Sequence, residues 1–133
     1  MSEAENVQVV QSVYEAFGRG DLPAMLDALA GDVRWVIPGP SEVPYLGERK
    51  GHEGVRDFVV QLTSSVEFEQ FEVLEFIAHE DKVVVTGRER GRVKATGRTF
   101  DNEWAMFYTL RDGKILSMRS YENTGALLEA FRA

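Results

Sequence analysis

"VVQSVYEAFGRGDLPAMLDALAGDVRWVIPG", residues 9–39, is the stretch whose reading decides the fold. Val10, Val13, Tyr14 and Phe17, with Val7 before them, recur at helical spacing. Ser2 followed by Glu5 forms a capping box at the start of that helix, and Gly18 and Gly20 stop it. Asp21 caps a second, short helix with Leu22, Met25, Leu26 and Leu29 on one face and Gly31 after it. From Asp32 the period becomes two. Val33, Trp35 and Ile37 alternate with Arg34 and Val36, the pattern of a half-buried strand, and Pro38-Gly39-Pro40 breaks it.

Outward from this stretch, residues 38–51 ("PGPSEVPYLGERKG") read as a long loop or loose hairpin, and loops of this length are often functional. A third helix follows with Val55, Phe58, Val59 and Leu62 inward. "VEFEQFEVLEFIAH", residues 66–79, reads as a long strand whose alternation slips near Glu69 to Phe71, where a bulge fits. Glu80-Asp81 turns into "KVVVTGRERGRV", "KATGR" turns into "TFDNEWAMFYTL", and Arg111-Asp112-Gly113-Lys114 is a hairpin turn into "KILSMRSYE". Asn123 caps a short closing helix containing Leu127, Leu128 and Phe131. Helix, helix, strand, helix and four antiparallel strands make an α+β domain, a curved antiparallel sheet wrapped like a cone on its helices. The wide end of such a cone is where a ligand sits.

The totals bound the function. A chain of 133 residues suits one domain, residues 1–133. No cysteine is present, so disulfides, thiolate catalysis and thiolate metal sites are excluded. The formal net charge of −7 offers little excess cation for phosphate, so no nucleic-acid partner is expected. "MSEAENVQ" has no basic segment followed by an apolar core, and no apolar run approaches a membrane span; the expected location is the cytoplasm, with no membrane partner. His52 and His79 lack paired metal-ligand spacing, so no metal site is expected. His52 reads as a residue near the start of the third helix and a minor candidate base, His79 as an exposed turn residue.

"VVQSVYEAFGRGDLPAMLDALAGDVRWVIPG" and "GRTFDNEWAMFYTLRDGKILSMRSYENT" resemble the nuclear-transport-factor-2-like superfamily, in the branch of ketosteroid isomerase and the SnoaL-like polyketide cyclases. Gly20-Asp21-Leu22, Asp32, Pro38, Gly51 and Gly113-Lys114-Ile115 fall in the expected order, and the likeness covers nearly the whole chain. It implies the cone-shaped fold, a cystatin-like α+β barrel, and no cofactor. Its catalytic residues do not carry over. Steroid isomerases place their base Asp just before the proline ending the first strand; Ile37 stands there. Their helix Tyr position is Val13, with Tyr14 adjacent, and their second acid position is counted to Ala105. The cyclases' acid on the last strand is counted to Ser120. The resemblance therefore argues against steroid isomerisation.

The same alignment supplies strand phases. Trp35 and Val33 point inward with Ile37, Glu103 and Phe107 with Ala105. Val83, Val85, Gly87 and Glu89 share a face, as do Leu116, Met118, Ser120 and Glu122. A hairpin centred near Thr96 sets Glu89 opposite Glu103 and Gly87 opposite Ala105. The expected site is a cavity lined by Trp35, Tyr14, Phe17, Phe58, Val85, Ala105, Phe107, Met118 and Ser120, with Glu103 and Glu89 as an acid/base pair; Glu122, at the strand end, carries less weight. Two close carboxylates do not both ionise easily, which suits proton removal beside a carbonyl. The opposite face then carries Trp104, Met106 and Tyr108, which with the family's habit implies a homodimer through that face. Two functions stay open: a cofactor-independent acid/base enzyme (isomerase, cyclase or hydrolase type) on a small hydrophobic carbonyl-containing or polycyclic molecule, and a non-catalytic ligand-binding or dimeric interaction module.

Overall fold

The computed structural model describes residues 2–132. The elements are α1 (Glu3–Gly18), α2 (Leu22–Asp27), β1 (Leu29–Ile37), β2 (Gly47–Lys50), α3 (Gly51–Ser65), β3 (Val66–His79), β4 (Lys82–Val93), β5 (Thr99–Arg111), β6 (Lys114–Glu122) and α4 (Thr124–Phe131). The caps read from sequence are formed. Ser2 and Glu5 make the reciprocal capping box, and the Asp21 and Asn123 side chains accept from the first turns of α2 and α4.

One curved, unclosed sheet runs in the order β2-β1-β6-β5-β4-β3. All neighbours are antiparallel except β1 and β6, which run parallel with Trp35 beside Met118. The 38–51 segment takes the hairpin form: its end, β2, pairs antiparallel with β1 at the sheet edge. β3 bulges between Phe68 and Gln70, where the alternation slips, and again between Val73 and Glu75. Asp112 and Gly113 both take positive φ, 52° and 77°, so the β5–β6 connection has the primed-turn geometry its sequence asks for. The helices cover the concave face. Val10 and Val13 of α1, Val55 and Phe58 of α3 and Leu127 of α4 are buried there against Val33, Trp35, Val83, Val85 and Met118.

The phase of β5 differs from the sequence expectation by one residue. Glu89 pairs with Asn102, Gly87 with Trp104 and Thr86 with Ala105. The cause is the β4–β5 turn. Val93 N donates to Arg98 O (2.8 Å), Gly97 N donates to Val93 O (2.8 Å), and Gly97 sits at φ +73°. The turn thus holds four residues, 94–97, whereas a turn centred on Thr96 holds an odd number. A one-residue slip exchanges the two faces of a strand. Asn102, Trp104 and Tyr108 are buried inside, and Glu103 and Phe107 face out. A pairing face made of Trp104, Met106 and Tyr108 is therefore ruled out. On β6 the register shift against β5 near Leu110 lets Leu116 fall between the buried Ile115 and Met118, so Met118, Ser120 and Glu122, but not Leu116, keep the inward phase.

Candidate functional site

Between the helices and the concave sheet lies a narrow cavity that leaves about 50 Å³ to the centres of water-sized molecules. Tyr14 and Phe17 of α1, Met25 of α2, Trp35 and Ile37 of β1 and Phe58 and Leu62 of α3 form one side; Phe68, Phe71, Met106 and Tyr108 form much of the other. Tyr45 enters from the segment between β1 and β2, and Glu89 and Glu122 bring the charge.

That segment is held closed over the core. Val43, Tyr45 and Leu46 are buried, and the Tyr45 ring packs on Phe58 and Phe131. Glu42 accepts two 3.0 Å hydrogen bonds from the Arg132 guanidinium, the bidentate geometry that fixes orientation best.

Glu122 is held by its own strand and the next. Ser120 Oγ donates to Oε2 (2.7 Å) and Asn102 Nδ2 donates to Oε1 (3.0 Å). Asn102 is oriented in turn by Asn123 N, which donates to its Oδ1 (2.8 Å). Burial raises the Glu122 carboxyl from its ordinary value, and the Ser120 and Asn102 donors oppose the rise. Glu89 is 8% exposed. Burial first, and the charge of Glu122 second, push its carboxyl up to about 8. Asn102 and Trp104 offset part of this, although the Trp104 N–H closes no hydrogen bond. Burial outweighs the donors at both carboxyls, so both are raised, and the Ser120 and Asn102 hydrogen bonds ease the ionisation of Glu122; the pair titrates as a unit.

A second polar pair lies beside the first. Tyr108 Oη donates to Tyr14 Oη (2.8 Å), and Tyr14 Oη donates to Met106 Sδ (3.0 Å). A thioether is a weak acceptor, so the Tyr14 proton is easily redirected to a better one. Burial raises the pKa of both phenols, so both stay neutral donors.

The structure brings Trp35, Tyr14, Phe17, Phe58 and Glu89 together as the sequence suggests. It does not bring Glu103, Ala105 or Phe107 there. Glu103 and Ala105 line a groove on the outer sheet face with Leu74, Arg88 and Tyr121, and Phe107 is 43% exposed against the Tyr121 ring. The register of β5 is the reason. Val85 and Met118 are core residues beneath the cavity, and Ser120 is fully buried and acts through Glu122. His52 is turned to the Leu29 carbonyl, Nε2 to O 3.0 Å, and does not line the cavity. Tyr45, Asn102 and Tyr108 were not legible as site residues. Tyr45 lies in a Pro-rich loop with no period, and the other two depend on a turn length.

A family model for the SnoaL-like domain matches residues 10–118. The chain belongs to the SnoaL-like family. A nuclear-transport-factor-2-like protein of Burkholderia xenovorans is 39% identical to this SnoaL-like chain with a TM-score of 0.92, covering 99% of each. TerC, crystallised with polyporic acid, is 26% identical with a TM-score of 0.86, covering 97% of this chain and 99% of its own. An uncharacterized protein of Mycobacterium tuberculosis is 23% identical over 133 residues, the full length of both. Ile37 and Glu122 both line the cavity, and Glu122 stands one pleat beyond Ser120 on β6.

Proposed function

We propose that this SnoaL-like protein is a cofactor-independent acid/base enzyme acting on a small, flat, largely apolar molecule that carries a carbonyl group. The observation that carries the reading is the buried Glu89–Glu122 pair at the polar side of an otherwise aromatic cavity. Glu122, ionised and aimed by Ser120 and Asn102, takes a proton from the carbon next to the carbonyl. The electron pair moves to the carbonyl oxygen, which Glu89 meets with its own proton. In a β,γ-unsaturated ketone, delivery of the first proton from Glu122 to the γ-carbon, with the enol proton going back to Glu89, completes an isomerisation; in a β-hydroxy ketone, the hydroxyl takes the first proton from Glu122 and leaves as water while the enol proton goes back to Glu89, which completes a dehydration. Tyr14, adjacent to the same space, supplies a neutral donor to a developing oxyanion. TerC's crystallisation with polyporic acid supports an aromatic, oxygenated ligand. No helix among the described residues is long and apolar enough to cross a membrane.

The competing reading is a binding module without chemistry, favoured by Ile37 at the usual base position. Deuterium exchange decides between them. The protein is incubated with tetralone in heavy water and label at the carbon beside the carbonyl is followed by NMR. Exchange faster than the buffer rate, and at least a hundredfold slower in Glu122→Gln, supports the enzyme. Tetralone or polyporic acid binding with no accelerated exchange supports the module.

A further inference from the structure

Two buried polar groups on side chains that line the cavity have no part in the proton transfer. Trp35 Nε1 and Tyr45 Oη belong to side chains only 3% and 4% exposed, and neither has a hydrogen-bond partner. Both side chains line the same cavity, and both rings pack on Phe58, with centroids 5.7 and 6.5 Å away. An indole N–H donates only. The Tyr45 phenol, its pKa raised by burial and by Glu89 and Glu122, is neutral and donates as well. Packing does not call for these polar atoms. A phenylalanine at residue 45 would make the same ring contacts with Phe58 and Phe131 and bury no unpaired oxygen. Unpaired buried donors are costly to keep, and the cost is recovered when an acceptor arrives.

We propose that Trp35 and Tyr45 are the ligand-selecting donors of the cavity, receiving carbonyl-type oxygens, so that the site takes aryl ketones, quinones and their enolates in preference to hydrocarbons of the same shape. The inference deepens the function proposed above and rests on the cavity being the ligand site, but not on any reaction occurring there. It also gives the 38–46 segment a role. Tyr45 is carried by a stretch pinned at Glu42 to Arg132, so an oxygen bound at Tyr45 adds a contact that holds the segment down.

The test uses acetylnaphthalene and ethylnaphthalene, near-isosteres that differ in the carbonyl oxygen, with affinity read by calorimetry. The wild type is expected to prefer the ketone by roughly tenfold, the worth of a hydrogen bond to an otherwise unpaired buried donor. Tyr45→Phe should remove most of that preference, leave ethylnaphthalene binding unchanged, and leave the melting temperature equal or higher. Trp35→Phe should act in the same direction on the ketone. Equal affinity for the two probes, equal weakening of both by Tyr45→Phe, no binding of either, or a lowered melting temperature in Tyr45→Phe would each overturn the proposal. Absence of tetralone exchange with the ketone preference intact removes the reaction and leaves this inference standing.

Discussion

The indole of Trp104 lies directly over Gly87, its cross-strand partner, so that a Cβ at Gly87 would overlap ring atoms Cζ2 and Cη2 and crowd the Glu72 carbonyl at 2.6 Å. The missing side chain lets the indole lie flat and stack on Tyr14, with centroids 5.9 Å apart and planes within 5°. Gly87→Ala should destabilise the protein by about 1–3 kcal/mol, because the backbone carbonyl cannot yield as a side-chain tip can. A lower midpoint in urea denaturation, with a changed near-ultraviolet signal from the displaced indole, checks this.

Glu89 contributes a pH dependence of definite sign. Its folded-state carboxyl is raised from 4.5 to about 8, so between those values the folded protein holds a proton that the unfolded chain releases. The unfolded state then binds fewer protons, and stability falls as pH rises through this window. Glu89→Gln keeps the shape without the charge. It should match the wild type near pH 4 and exceed it above pH 8, by on the order of a few kcal/mol at most. Denaturation curves across about pH 4–9 would show the two proteins diverging as pH rises, and parallel curves would show that Glu89 is not a buried acid.

Asn102 acts through Glu122. It donates to the carboxylate and accepts from Asn123 N, so Asn102→Ala leaves one buried carboxylate oxygen and one backbone N–H short of a partner. A loss of about 1–3 kcal/mol in stability is expected. Losing a donor to the ionised form also raises the Glu122 pKa further. The acidic limb of the tetralone exchange profile should therefore move to higher pH, which a merely structural role would not produce, and Asn102→Gln should restore part of the shift.

The outer sheet face is expected to associate copies of this chain. Phe107 and Tyr121 lie edge to face there at 5.5 Å, Tyr121 is 53% exposed, and Leu74 and Ile77 are exposed as well. Phe107→Glu should abolish self-association through this face in sedimentation velocity while leaving the cavity, on the other face of β5, able to bind the ketone probe.

Where the sequence is periodic or capped, it is legible. The helices, the strand ending at Ile37 and the bulge near Phe68 follow from spacing, cap residues and a visible slip in alternation. The site is half legible, and the division runs along β4 and β5. Val83, Val85 and Glu89 take their phase from an apolar alternation that only one face satisfies. On β5, Ala105 and Phe107 offer an apolar row as plausible as Trp104 and Tyr108, so hydrophobicity does not choose, and the four-residue turn does. Glu103 and Glu122 exchanged importance for that reason alone. Composition also conceals the role of Gly87, which is the seat of an indole.

The parallel contact between β1 and β6 joins two strands far apart along the chain. Trp35 has no neighbour at Met118 until the chain has passed that residue on the ribosome, and Glu122 follows only later still. The edge of β1 therefore stays uncovered by β6 until Met118 has been made, and a large loop must close before they meet. Expression at lowered temperature, or with a holding chaperone, should thus favour soluble yield more than any stabilising change to the finished molecule.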